Sequence, residues 1–203
     1  MAIIDSGLNI HDPRFKGVLC EPELHRDFTG TGLYDTVGHG THVAGILVKS
    51  TPNHEDYCIV VIKAWDKDNN WMLQAIDYAN SIGVDFINIS MSGSEYYEAE
   101  FQAIKKSKAT FVVAAGNTNV PYTEAYPGGY KLKNIVVAGN WNCITNKKEI
   151  TSNYGPEVVW RCGTNIRSYV PGGTEGYKTG TSMAAPVVTA ELVTKAIKNK
   201  ELK

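Results

Sequence analysis

The stretch CIVVIKAWDKDNNWMLQAIDYANSIGVDFINIS, residues 58–90, decides how the chain folds. It opens on one apolar run, CIVVIKA (58–64), and closes on another, VDFINIS (84–90). A strand with one face in water alternates apolar and polar residues. These runs are near-continuously apolar, so each is expected to be a strand covered on both faces. Between them WMLQAIDYANSI (71–82) repeats its apolar residues at helical spacing. Strand, helix, strand is the unit of a parallel sheet whose crossovers lie on its faces.

The same alternation extends outward. AII (2–4), TFVVAA (110–115) and NIVVAG (134–139) read as further strands. HVAGILV after Gly40 reads as a helix, as does EYYEAEFQAIKKSK (95–108), whose closing lysines suit a helix C-terminus. With 203 residues, 43% of them hydrophobic, and no repeat or linker, the chain is expected to form a single α/β domain over 1–203. A formal net charge of −1 supplies no electrostatic reason to bind nucleic acid or an anionic membrane. No apolar run approaches the roughly 20 residues that span a bilayer. Met1 leads straight into AIIDSG, without the basic and apolar regions of a signal peptide. The four cysteines, Cys20, Cys58, Cys143 and Cys162, show no CxxC and no metal-ligand spacing. Free thiols in a reducing compartment are expected, with all three ways of pairing them left open.

In sheets of this kind, functional residues gather where strands end and helices begin. Asp5 closes the first strand, and His39, in VGHGTHVAG (37–45), stands at the start of a helical run. Asn117 follows VVAAG, just past another strand. In KTGTSMAAPVV (178–188), Ser182 begins the last helix, with Pro186 expected in its first turn, where a missing N–H loses no partner. Singly, these residues have bland readings as turn former, loop residue and helix cap. Together they supply acyl-transfer chemistry. A serine hydroxyl needs a neighbouring base, a neutral imidazole suits that task, and a carboxylate behind the imidazole fixes its tautomer. The free N–H groups at a helix start favour an oxyanion.

IIDSG around Asp5, GHGTHVAG around His39, VVAAGN, and GTSMAAP around Ser182, in that order, resemble the signature blocks of the subtilisin-like serine proteases, the subtilases. FINISMSG (86–93) and AYPGGYKLKNIVVAG (125–139) extend the resemblance over essentially the whole chain. It implies a three-layer α/β fold with a mostly parallel central sheet of about seven strands flanked by helices. It also implies a serine endopeptidase in which Ser182 attacks the peptide carbonyl, His39 acts as general base and then acid, and Asp5 orients His39. Asn117 and the Ser182 backbone N–H would hold the oxyanion. Met183, beside the nucleophile, would be the site of oxidative inactivation. Ser90, Met91 and Ser92 would form one wall of the substrate cleft, and Ala114, Ala115 and Gly116 the other.

Ser92 and Ala125 stand where the family commonly has glycine. The Ala125 methyl is expected to shorten the specificity pocket and favour small to medium apolar side chains over aromatic ones. Tyr126–Pro127 is a candidate cis peptide by the same resemblance, and Glu124 is expected to be a solvated loop carboxylate. His42 lacks the glutamate of an HExxH motif and is implied to be structural rather than a metal ligand. His11, His25 and His54 are expected at the surface. GTGL (30–33) is too short, and follows no strand, to be a phosphate loop.

No cofactor is expected, and no calcium at the family's strong site. Little chain precedes Asp5, and LVKSTPNHEDYC (47–58) leaves little room for a calcium loop. Asn53, Glu55 and Asp56 remain as a weak candidate. The expected partner is a polypeptide substrate, with a proteinaceous inhibitor or propeptide as a further one, although no propeptide is visible. Neither nucleic acid nor membrane is expected, and the chain should act as a monomer. The cytoplasm is favoured, a secreted mature form being the alternative. The rival readings are an inactive subtilase scaffold with a binding or regulatory role and, more weakly, an esterase. The presence of Asp5, His39, Asn117 and Ser182 together favours the protease.

Overall fold

The computed structural model describes residues 1–52, 54–66 and 70–201. In chain order its elements are β1 (Ala2–Asp5), β2 (Arg26–Asp27), α1 (Gly40–Ser50), β3 (Val60–Lys63), α2 (Met72–Ser81), β4 (Phe86–Ile89) and α3 (Glu98–Lys106). There follow β5 (Thr110–Ala114), β6 (Ile135–Asn142), β7 (Lys147–Lys148), β8 (Val159–Cys162), β9 (Ile166–Val170), β10 (Thr174–Lys178) and α4 (Thr181–Glu201).

The apolar runs become strands because successive side chains enter different helix layers. Ile4, Ile62, Ile89 and Val113 pack with Ala75, Ile76 and Ala79 of α2 and with Ile104 of α3. Ile3 and Val61 point the other way, into Val43, Ala44 and Leu47 of α1. Val112 and Ala138 meet Ala184, Ala185 and Val188 of α4 on that same side. The result is the expected three-layer arrangement. Seven strands run parallel in the order β2-β3-β1-β4-β5-β6-β8, and the short β7 is added antiparallel to β6. The two strands of residues 58–90 are not neighbours. β1 lies between them, Ala2 pairing with Val60 on one side and Ile87 on the other. Asp5 and Ser90 therefore emerge side by side at one edge, with the chain beyond β5 next to them.

Four expectations are corrected. The cysteines are not free thiols. Leu19 bridges Ile59 in parallel, which sets Cys20 beside Cys58 with Cα atoms 4.8 Å apart, and the two form a disulfide. Trp141 pairs with Cys162, which brings Cys143 within 5.5 Å of Cys162 for the second bridge. His25 is not a surface residue. It is buried, and its Nδ1 accepts the Val61 N–H at 3.1 Å, just ahead of the β2–β3 pairing. Pro186 lies in the second turn of α4, not the first. The N–H it lacks is the one that would have bonded the Ser182 carbonyl, so that carbonyl stays outside the helix ladder. Finally, β2 does precede GTGL, but the Gly32 N–H donates to the Asp27 carboxylate at 2.7 Å, which occupies the loop as an anion would.

His11 and Glu124 are exposed, as expected, and Tyr126–Pro127 is cis. Of the weak cation candidate, Glu55 and Asp56 are exposed, and Asn53 lies outside the described residues. Among the described residues no cluster of three or more His, Cys, Asp and Glu side chains could hold a metal ion.

The bridges close loops of 38 and 19 residues. By the chain-entropy relation each should contribute about 3–4 kcal/mol. Thiol titration of the denatured, unreduced protein should find no free thiol, and reduction should lower the unfolding midpoint in urea. Four titratable thiols without reduction would contradict the pairing.

Candidate active site

The strand edge that carries Asp5 meets the first turn of α1, and the approach is set by glycine. A Cβ on Gly40 would lie 2.4 Å from the Gly7 carbonyl oxygen and 3.3 Å from the Asp5 Cβ. Without a side chain there, α1 sits directly on the end of β1. His39 then reaches Asp5, its Nδ1–H donating to Asp5 Oδ1 at 2.7 Å. The same oxygen accepts the Ser6 N–H at 2.7 Å, while Oδ2 is buried with no hydrogen-bond partner among the described residues. The carboxylate fixes the tautomer that leaves His39 Nε2 as the free base.

Burial pushes the His39 imidazolium pKa down, but the charge and hydrogen bond of Asp5 more than offset this, and the net shift is upward. Lys178 opposes the rise and Asp35 adds to it. The Trp65 ring stands edge-on to the imidazole, centroids 5.7 Å apart, screening one side of it.

Ser182 is the second residue of α4, in the turn where backbone N–H groups lack intrahelical partners. Its hydroxyl donates to the Ser90 carbonyl at 2.7 Å. That is its resting partner here, and no hydrogen bond to His39 is made among the described residues. Asn117 lies across the same helix start. Its Oδ1 accepts from the Thr181 N–H at 2.9 Å and from Thr181 Oγ1 at 3.2 Å. An amide N–H can only donate, so the atom facing it must be the Asn117 oxygen, and the Nδ2 hydrogens are left for another acceptor.

The expected cleft walls flank this centre. Ser90, Met91 and Ser92 follow β4, and the next residue, Gly93, pairs antiparallel with Tyr126. Opposite them, Ala114 and Ala115 are buried, and Gly116 turns with φ +103°. A Cβ on Gly116 would meet Asn153 Nδ2 at 2.4 Å and Ser92 Oγ at 3.2 Å, so the two walls nearly touch there. Ala125 is buried, its carbonyl accepting the Gly129 N–H at 2.7 Å. A cleft of about 350 Å³ is lined by Trp65, Met91, Ser92, Gly93 and Tyr126.

His42 is fully buried, its Nε2–H donating to the Ile166 and Gly176 carbonyls at 3.0 and 3.2 Å. It therefore ties α1 to the β9–β10 hairpin.

Three supporting residues escaped the sequence reading. Asn153, fully buried, accepts from the Thr118 and Val120 N–H groups and donates to the Ala115 carbonyl, bracketing the Asn117 loop. Ser6 and Asp35 bind the start of α1. Of these only Asp35 left a signal, an aspartate a few residues ahead of a helix start, where capping residues are enriched.

A comparison with protein-family models matches residues 1–200 to the one described as the subtilase family, Peptidase S8. Among curated relatives, an intracellular serine protease of Paenibacillus polymyxa is 28% identical over 221 residues, covering 95% of this chain and 64% of that protein. The major intracellular serine protease of Bacillus subtilis (strain 168) is 29% identical over 214 residues, covering 95% and 66%. The chain thus spans about two-thirds of the length of these relatives, 64% and 66%. A solved lanthipeptide protease shares the fold, with a TM-score of 0.85 at 22% identity over 98% of this chain and 73% of that one.

Two outcomes follow from this geometry. His39 can act as a base only when neutral, and its pKa is raised. Any activity that depends on it should therefore fall away on the acid side at a higher pH than an unperturbed histidine gives. The same shift adds stability that is full below the unfolded-state value and is lost as pH rises through the folded one. His25 and His42, depressed by burial, act oppositely and weaken the fold as pH drops below their ordinary value. Gly40→Ala should part Asp5 from His39, abolishing any activity that depends on that pair and lowering stability by about 1–3 kcal/mol. Thermal melts and rates measured on that variant check both effects.

Proposed function

The chain belongs to the subtilase family, and from that premise we propose that it is a serine endopeptidase working through an acyl-enzyme on Ser182. The observation that carries the proposal is the Asp5–His39 hydrogen bond at 2.7 Å, set at the strand edge where the start of α4 presents Ser182.

An extended peptide pairs with the Ser90–Ser92 backbone as an added strand. The Ser90 carbonyl, which now holds the Ser182 hydroxyl, is the natural acceptor for a substrate N–H. Substrate binding therefore releases the hydroxyl, and a side-chain rotation on the picosecond-to-nanosecond scale turns it toward His39 Nε2. His39 takes the proton as Ser182 Oγ adds to the carbonyl carbon. Asp5 stabilises the imidazolium that results. The negative oxygen is met by Asn117 Nδ2 and the Ser182 N–H, at the positive end of α4. His39 then passes its proton to the leaving amine. Water repeats the sequence on the ester and frees Ser182. The chemistry needs no metal or cofactor.

Ser92, close to Gly116, and the buried Ala125 support a short pocket and a preference for small to medium apolar side chains before the scissile bond. The relatives named as intracellular agree with a cytoplasmic setting for this chain, whereas its two disulfides suit an oxidising one.

Incubation with a fluorophosphonate, followed by intact-mass analysis, should give one adduct on Ser182, absent in Ser182→Ala and strongly slowed in His39→Ala. A folded wild-type chain that takes no adduct would overturn the endopeptidase reading in favour of a scaffold. Asn117→Ala should lower kcat by about 10²–10³-fold, a range that itself derives from a subtilisin oxyanion donor. On peptide substrates, cleavage after Ala or Leu should exceed cleavage after Phe or Tyr. Equal or reversed rates would remove the short-pocket assignment.

A further inference from the structure

We propose that Asp35 is a positioning residue for the general base, its buried carboxylate capping the α1 helix that His39 begins but cannot itself cap. The proposal rests on reading His39 as that base.

A helix start leaves several backbone N–H groups without partners, and the N-cap side chain usually supplies one. Here the N-cap residue is His39, whose side chain makes no capping bond because its ring is turned to Asp5. The capping is done from outside the helix. Ser6 Oγ accepts the Gly40 N–H at 2.9 Å, and Asp35 Oδ2 accepts the Thr41 N–H at 2.8 Å and the Thr41 hydroxyl at 2.6 Å. Asp35 Oδ1 accepts the Gly38 N–H at 2.7 Å, the Val37 N–H at 3.1 Å and the Ser6 hydroxyl at 2.8 Å.

All of these neighbours donate, so the ionised form, an acceptor at both oxygens, is the one that fits. Asp35 is 1% exposed and makes no salt bridge among the described residues. A charge buried in this way is tolerable only because donors and a helix N-terminus surround it.

The bonds form a closed circuit. Ser6 joins Asp5 through its N–H and Asp35 through its hydroxyl. Asp35 holds the backbone on both sides of His39, at Gly38 and Thr41, and His39 returns to Asp5. The imidazole is thus fixed by its ring partner and by its own backbone. Asp35 also places a second negative charge behind the ring. Among the described residues, the charged or titratable groups that act electrostatically on His39 are Asp5 from β1, Asp35 from the loop before α1, Lys178 from β10 and His42 from α1 itself.

The test is Asp35→Asn, nearly isosteric but carrying no charge and turning a donor toward donors. Competent sites are counted by fluorophosphonate titration, so that a misfolded fraction does not enter the rates. Per competent site, kcat should fall about 10- to 100-fold with KM changed less than about two-fold, as for a slightly misplaced catalytic group. The acid limb of kcat/KM should move to lower pH. The low-field proton resonance of His39 Nδ1–H, which needs no turnover, should titrate with a lower midpoint. If Asp35→Asn does not fold, Thr41→Val removes one donor and keeps the charge. It should lower kcat at constant KM and leave the midpoint in place. A melting temperature that falls while per-site kcat, acid limb and resonance stay as in wild type would overturn the proposal. So would an unaltered Thr41→Val variant. If the wild-type chain takes no fluorophosphonate yet the His39 resonance shifts in Asp35→Asn, the endopeptidase reading fails and the positioning role stands.

Discussion

The site depends on one close contact, the seating of the first turn of α1 on the end of β1. Gly40 and the Gly7 carbonyl approach so nearly that a methyl group cannot enter. That contact sets the 2.7 Å separation of Asp5 and His39. Much of the surrounding structure keeps it in place. β1 is paired on both sides, by β3 and β4, so its end cannot drift. Lys63 is fully buried at the end of β3, and its ammonium donates to Thr31 Oγ1 and to the Gly32 and Tyr34 carbonyls. Those contacts use all three of its protons to hold the loop that delivers Asp35.

Two helices point their N-termini at the cleft, and the surrounding charges suit two different tasks. At α1 the positive helix end would work against an imidazolium at His39, which the proposed mechanism requires. Asp5 and Asp35 stand there to offset it. The first turn of α4 carries no acidic side chain, so its positive end stays uncompensated and would suit the negative oxygen of the proposed mechanism. One helix has its dipole countered and the other has it spared. In each case the sign agrees with where the proposed reaction would place charge.

The sheet was legible because it is buried on both faces. The runs that become β1, β3, β4, β5 and β6 have no polar side to hide. The site was legible because it sits where those runs stop. What escaped notice lies in the second half of the chain and in long-range pairing. β9 and β10 carry Arg167, Glu175 and Lys178 among their residues and gave no strand signal, since they form a two-stranded hairpin and not part of a covered sheet. The cysteines gave no spacing signal because each bridge joins segments that only strand pairing brings together. His25 looked polar in its local run, yet it packs against an N–H of β3, a neighbour 36 positions away. Asp35 went unnoticed. Its importance lies in five donors drawn from Ser6 just after β1, the adjoining loop and α1, which no short motif displays.

If the proposed activity lets copies of the protein cut one another, the placement of the two bridges bears on their survival. Cys20 and Cys58 bracket the whole segment that carries Asp35, His39 and α1. Cys143 and Cys162 bracket the exposed run around Ile144, Ile150 and Tyr154. A chain severed once inside either bracket remains a single covalent molecule, with Asp5, His39, Asn117 and Ser182 still joined. Nicks in these two loops, which would otherwise release fragments, become scars on an intact body. Cuts elsewhere have no such tether, so the lifetime of the protein among its own copies is governed by the segments outside the brackets.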